Sequence, residues 1–289
     1  MNANLNDLRA ILDLEPIEQN LFRGTSPKTK WQRVFGGQVI AQALGASCRT
    51  VEGRLPHSLH CYFLLLGDSR IPILYQVERL RDGRSYATRR VTAIQHGQPI
   101  LSMMVSFHND EESIFHHQVE MPVVPPPDKS PPDPFSDPQA LAEMPESVRH
   151  FYELTRPVEL RPIAVSPDDK HYRSNTWIRA ADPLPDDPVF HLCGLAYFSD
   201  FTLLDTSMNR YGRRLGNKDM AAASLDHAMW FHRPFRADEW LLHSQDSPSA
   251  QGGRALTRGQ IFKPDGTLVA SVAQEGSIRL RRGSSTWGT

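Results

Sequence analysis

The sequence predicts an α+β fold in which one architecture occurs twice, a buried helix wrapped by an antiparallel sheet. Three observations predict it. Two segments, GGQVIAQALGASC from Gly36 and the stretch from about Val189 to Leu204, are apolar nearly all round, the mark of helices meant for the interior. Landmarks in strand-like runs recur at a near-constant shift: Phe63 and Phe231, and Tyr75 and His243, stand 168 positions apart, while Arg89 and Arg258, and Gly97 and Gly266, stand 169 apart. Such a shift is the signature of a tandem duplication. Finally, no strand–helix–strand alternation runs through the chain, so a parallel doubly wound sheet is not expected.

In order along the chain, the opening MNANLNDLRAILDLEPIEQ is amphipathic and acidic, unlike a signal or transit peptide. The first buried helix follows. Strands are then expected up to Phe63, around Tyr75 and around Arg89, with QHGQP as a hairpin turn. Nine prolines fall between Met121 and Pro145; a run so rich in proline holds neither a ladder nor a helix and reads as an extended, semi-rigid connector. A helix is expected over EMPESVRHFYELT, then the second buried helix, the strand SLDHAMWFH, further strands around the hairpin KPDGT, and a last strand through LVASVAQ. The implied organisation is a module at 1–120, a proline-rich linker at 121–145 and a second module at 146–289 carrying the chemistry.

Composition excludes several classes. Lys plus Arg number 32 against 33 for Asp plus Glu, a net charge of −1. A nucleic-acid binder needs a basic surplus to meet phosphates, and docking on anionic membrane needs the same. Cys48, Cys61 and Cys193 stand singly, so no disulfide framework or CxxC metal site is expected. No apolar run approaches 18 residues; the strongest, Tyr62 to Leu66, is strand-length. The C-terminal Trp287-Gly288-Thr289 is not a peroxisomal address. A cytoplasmic protein is expected. GxSxG, Walker and GxGxxG motifs are missing from the sequence.

The informative signal is polarity on a face that ought to be apolar, since burying an unpaired polar group costs about 1–3 kcal/mol. Asp200 falls on a helical stripe with Cys193, Ala196, Tyr197, Leu203 and Leu204. Gln274 ends a strand face that reads Leu268, Ala270, Val272. Ser224, on that reading, shares a face with Asp226, Ala228 and Trp230. A carboxylate, a hydroxyl and an amide can together orient one water. Each also has a plainer reading: a helix-end partner for the Asp, a solvent-facing position for the Gln, no particular role for the Ser. Asp226 and His227, as strand neighbours, point to opposite faces and cannot pair. His57, His60, His116 and His117 lack a third ligand and an HExxH context, so no metal is expected. Gly36-Gly37 either offers backbone N–H groups to a substrate oxygen, with Gly37 as an oxyanion candidate, or permits close helix packing.

The strings VFGGQVIAQAL, LRDGRSYATRRVTAIQ, DHAMWFHRPFRADEWLLH and LVASVAQEG, with the opening LEPIEQNLFRG, closely resemble the type II acyl-CoA thioesterase family. They occur in order over nearly the whole chain outside the linker. The resemblance implies a double hotdog and hydrolysis of fatty acyl-CoA to free acid and CoA, with acyl-CoA as substrate and no metal or organic cofactor. It also implies homo-oligomers. The family's catalytic Asp, Ser or Thr, and Gln fall on Asp200, Ser224 and Gln274. By the repeat shift their first-half counterparts include Pro56 and Val105, so one active site per chain is implied. Where many relatives carry a basic residue and Pro before Gly-Asp, this sequence has Leu65-Leu66, and no CoA contact is carried to them. Whether Asp200 activates water or attacks to form an anhydride stays open. So do two other classes. A hotdog enoyl-CoA hydratase or dehydratase would need a His sharing a water with the Asp, and only His191 lies near in sequence. A non-enzymatic acyl-CoA-binding module would bind without turnover.

Overall fold

The computed structural model describes residues 8–27, 33–131, 142, 157–163, 173–213, 217 and 219–281. The helix expected over EMPESVRHFYELT lies outside them. In chain order the elements are α1 (Leu8–Leu12), β1 (Glu15–Glu18), β2 (Leu21–Gly24), α2 (Gly36–Cys48), β3 (Leu55–Phe63), β4 (Ile73–Asp82), β5 (Tyr86–Gln95) and β6 (Gln98–His108). After the proline-rich stretch come β7 (Val158–Ile163), β8 (Ser174–Ala180), α3 (Pro188–Ser199), α4 (Leu203–Asn209), β9 (Met220–Ser224), β10 (Asp226–Phe231), β11 (Leu241–Gln251), β12 (Arg254–Phe262) and β13 (Leu268–Leu280).

Among the described residues the strands form one antiparallel sheet, ordered β1-β2-β4-β5-β6-β3-β10-β13-β12-β11-β8-β7, with β9 beside β13. Read outward from its centre, the order is the same in both directions: β3-β6-β5-β4 one way, β10-β13-β12-β11 the other. The two halves meet where β3 pairs with β10, and His60 there sits opposite Ala228, its own counterpart 168 positions on. A local twofold therefore passes between these two residues. This is the double hotdog.

The helices form where the sequence places them because each has apolar residues on every side and a defined start. Asp187 caps α3 by accepting the Val189 N–H, with Pro188 preset for the first turn. Helices α2 and α3 lie antiparallel against the inner face of the sheet, and their glycines set the approach. A Cβ on Gly37 would stand 2.4 Å from the Tyr197 carbonyl oxygen, and Gly45 faces the Cys193 sulfur at 3.7 Å. Val39, Ile40, Leu44, Leu195, Tyr197 and Phe198 from these helices join Leu59, Val105, Phe107, Ala270 and Val272 from the sheet in one core. Between β5 and β6, His96 and Gly97 both have positive φ, 49° and 71°, as a two-residue type I′ hairpin requires.

Several sequence expectations are corrected. The second buried helix does not run to Leu204: α3 stops at Ser199 and α4 begins at Leu203. The chain turns there because Asp200 reaches across to the Gly37 N–H, while Gln245 on β11 holds Thr202 and Thr206 by their hydroxyls. Second, Arg258 corresponds to Arg90, not Arg89. Arg90 pairs with Glu78 across β5 and β4, and Arg258 with Asp246 across β12 and β11, both pairs 168 positions apart. Third, Ser224 does not share a face with Asp226. Ser224 stands opposite Gly276 on β13, whereas Ala228 stands opposite Ala273; one extra residue, at Leu225, bulges out and reverses the alternation. The first half has the same irregularity between Pro56 and Ser58.

Residues 117–126 carry no helix or strand, as the prolines dictate, but the expectation of no helix in the linker is corrected at Pro127–Lys129, one turn of 3-10 helix with Pro127 preset for its first position; the stretch is tied to the second half. The Trp177 indole N–H donates to the Pro125 carbonyl, Gln118 bonds both Gly266 and Leu268, and Met121 and Val124 pack on Trp177, Leu242, Phe262 and Leu268. Leu268 thus belongs to this outer cluster, not to the core row of Ala270 and Val272. A register shift in β13 opposite Ile261 and Phe262 turns it outward.

Candidate active site

Asp200, Ser224 and Gln274 converge at the end of α3. Asp200 is its C-cap residue and is buried; its sequence neighbours Tyr197 and Phe201 pack with Phe35, the three rings standing 4.7 to 5.6 Å apart between centroids. One carboxylate oxygen, Oδ2, accepts the Gly37 N–H at 2.9 Å. The other, Oδ1, accepts the Ser224 hydroxyl at 3.4 Å. Gln274 donates from Nε2 to Ser224 Oγ at 2.8 Å. The bulge at Leu225 is what delivers Ser224 to this side of the strand.

Gly37 therefore lies in the site, with its N–H directed at the carboxylate. It lies in the first turn of α2, where the N-cap, Phe35, supplies no side-chain hydrogen bond and the Gln38 and Val39 N–H groups return to its carbonyl, so the Asp200 carboxylate takes the Gly37 N–H that a capping side chain would otherwise satisfy. A Cβ on Gly36 would stand 2.6 Å from Asp200 Oδ2. The two readings of Gly36-Gly37, donors or packing, are thus one feature: the glycines allow the contact that brings the helix start to the carboxylate.

Burial raises the Asp200 pKa to about 6, against hydrogen bonds from Gln274, the Gly37 N–H and Ser224 that lower it. Ionised above that pH, it is a usable base near neutrality. Cys61 sits close enough to feel the Asp200 charge, and burial pushes its thiol up, out of reach of ionisation. It is no thiolate nucleophile.

Sequence reasoning missed His227. The strand parity that separates it from Asp226 is correct: Asp226 accepts the Glu275 N–H on one side, and His227 points inward on the other, fully buried. Its Nδ1 meets Gln274 Oε1 at 2.5 Å and its Nε2 meets Ser199 Oγ at 2.9 Å. The signal that could have found it is a histidine in register with Gln274 on the neighbouring strand, visible only with the bulge counted. His191 faces elsewhere, accepting the Ala237 N–H. His57 bonds Ser106, and His60 meets the Trp230 ring edge-on at 5.1 Å.

Residues 148–277 match the acyl-CoA thioesterase family model, and residues 25–108 match the model of the acyl-CoA thioesterase N-terminal domain. The chain belongs to the acyl-CoA thioesterase family. Human acyl-coenzyme A thioesterase 8 is 39% identical, over 95% of this chain and 91% of that protein. Acyl-CoA thioesterase 2 of Haemophilus influenzae is 38% identical, over 97% of this chain and 99% of its own. Among solved structures, the acyl-CoA thioesterase II TesB2 of Mycobacterium marinum superposes with a TM-score of 0.79 at 43% identity, covering 96% of this chain and 99% of that one. Membership of the thioesterase family agrees with the resemblance read from the motifs. Among the described residues no helix is long and apolar enough to cross a membrane.

Proposed function

We propose that this chain hydrolyses fatty acyl-CoA thioesters to free acid and CoA through a water oriented by Asp200, Ser224 and Gln274. One observation carries the reading: a buried carboxylate with a raised pKa meets a hydroxyl, an amide and the start of a helix at a single point. Asp200 takes a proton from the water as its oxygen adds to the thioester carbonyl. Ser224 and Gln274 hold that water in an attacking geometry. The start of α2 adjoins the carboxylate at Gly37, whose N–H is bonded to Asp200 in this structure; it is the oxyanion candidate as the carbonyl oxygen gathers charge, and the positive end of the helix favours that charge. Collapse of the adduct expels the CoA thiolate, which takes the proton from Asp200. Thiolate leaves readily, so no covalent nucleophile is demanded.

The hydratase alternative loses ground on His227. It is the histidine near Asp200 that such chemistry would require, but both ring nitrogens are engaged within the protein, leaving none for a shared water. A plain acyl-CoA binder has no need of a carboxylate made basic by burial. We place the enzyme in the cytoplasm, supported by three free cysteines and the near-zero net charge, and expect it to assemble as a homo-oligomer like others of its family.

The test is free-thiol release from acyl-CoAs of two to sixteen carbons, run beside an absorbance assay of enoyl-CoA hydration. Thiol release with enoyl-CoA unhydrated supports the proposal and reports the chain-length preference. Hydration without thiol release, or binding without either, overturns it.

A further inference from the structure

His227 is a fully buried titratable group, hydrogen-bonded to the catalytic set without belonging to it. Its ring spans two elements of the site. On β13 it meets the Gln274 side chain, and on α3 it meets Ser199, the residue immediately before Asp200. Burial lowers its pKa to about 4, so near neutrality the ring carries a single N–H. Facing an amide oxygen, Nδ1 holds that hydrogen, which leaves Nε2 as an acceptor beside the Ser199 hydroxyl, whose one hydrogen is shared between Nε2 and the Ala196 carbonyl at 2.9 Å.

The amide of Gln274 needs such a partner. Its two ends are nearly the same size and opposite in hydrogen bonding. In the observed orientation Nε2 donates to Ser224 Oγ and helps hold the Asp200 carboxylate. Turned over, it would present its oxygen to that carboxylate and offer the hydroxyl no donor. Sterics do not discriminate the two orientations, whereas a donor fixed on the oxygen side does.

The first half supplies a control. Leu59 on β3 stands opposite Val105 on β6, the places that His227 and Gln274 hold 168 and 169 positions later. The same strands accept an apolar pair there, so the fold does not require a histidine. Polar residues occupy both positions only in the half that carries Asp200.

We infer that His227 is a positioning residue for the thioesterase reaction, fixing the Gln274 amide with its donor end toward Ser224 and Asp200 and tying β13 to the end of α3. The inference rests on the proposed role of Asp200, Ser224 and Gln274.

Two polar replacements separate the roles of the ring. In His227→Asn the amide nitrogen falls where Nδ1 stood and can still donate to Gln274. In His227→Gln it falls nearer Nε2 and cannot. With a saturable acyl-CoA, His227→Asn should keep kcat within about fivefold, while His227→Gln loses about 10–100-fold, both with KM within about threefold. In a Gln274→Ala background the difference between Asn and Gln should shrink below about twofold, because the partner through which His227 acts is gone. Equal losses in the two variants, or a difference that persists without Gln274, would mean that His227 merely fills space. Asp200→Asn in the same assay separates the two claims. If it turns over like wild type, the whole site reading falls. If it is inactive while the His227 variants are alike, only this inference does.

Discussion

The two halves of the molecule share strand order, turn positions and even a β-bulge, yet they use the same interior places in opposite ways. Where the second half has Ser224, His227, Thr257 and Gln274, the first has Pro56, Leu59, Arg89 and Val105; Arg89 stands opposite Val105 as Thr257 stands opposite Gln274. In the first half the space is filled. Arg89 is 1% exposed, and its guanidinium bonds the Thr50 hydroxyl and carbonyl just past the end of α2, the Arg81 carbonyl and the Asp82 carboxylate. In the second half it is occupied by two hydroxyl side chains, an imidazole and an amide, which leave a carboxylate to be addressed by substrate. The difference teaches that the duplicated scaffold is indifferent to polarity at these positions as long as each group is partnered. One copy spends them on cohesion and the other on chemistry.

The largest effect expected from breaking this contrast is at Asp200. Asp200→Asn keeps the shape and the acceptor for Gly37 but removes the base, and kcat should fall about 10²–10⁴-fold, measured as thiol release at saturating acyl-CoA. Next is the first half's plug. Arg89→Leu leaves buried carbonyls at Thr50 and Arg81 without their donor, which should cost about 2–4 kcal/mol of stability. Denaturant unfolding checks this, and kcat per folded molecule should be unchanged.

A comparable but opposite stability change is expected in the second half. The Asp200 carboxyl is raised from 3.8 to about 6, so its ionised form is disfavoured in the fold. Stability is fully present below the unfolded value and is lost as pH rises from about 4 to about 6, staying lower above. The size is on the order of 3 kcal/mol. Asp200→Asn should therefore melt several degrees higher than wild type at pH 8, with the two curves meeting near pH 4. The smallest effect is on the outer face. Glu78–Arg90 and Asp246–Arg258 are equivalent, half-exposed pairs, and Ala in place of either arginine should cost under about 1 kcal/mol, alike in both halves.

Much of this was legible before the structure. Both buried helices showed in their uniform hydrophobicity, because an interior helix has no polar face to spare. The three site residues showed because a polar side chain in an apolar row needs a reason. What escaped was local geometry that no periodicity reports. The helix break after Ser199 has no glycine or proline to announce it; it is made by the Asp200 carboxylate accepting the Gly37 N–H and by the Gln245 side chain, both partners far away in sequence. The bulge at Leu225 shifts strand parity by one, and with it the face of Ser224 and the register of His227 against Gln274. Arg89 was matched to Arg258 because two adjacent arginines, one buried and one paired at the surface, look alike in a string of letters.

The most direct test of a single buried base in the second half is the pH dependence of kcat between pH 4.5 and 8.5. The general base must be ionised, so kcat should fall about tenfold per unit below an apparent pKa near 6 and level off above it, and the residual activity of Asp200→Asn should lack that limb. A limb near 4, the range of an exposed carboxylate, or one that survives in Asp200→Asn, would contradict the account and place the base elsewhere.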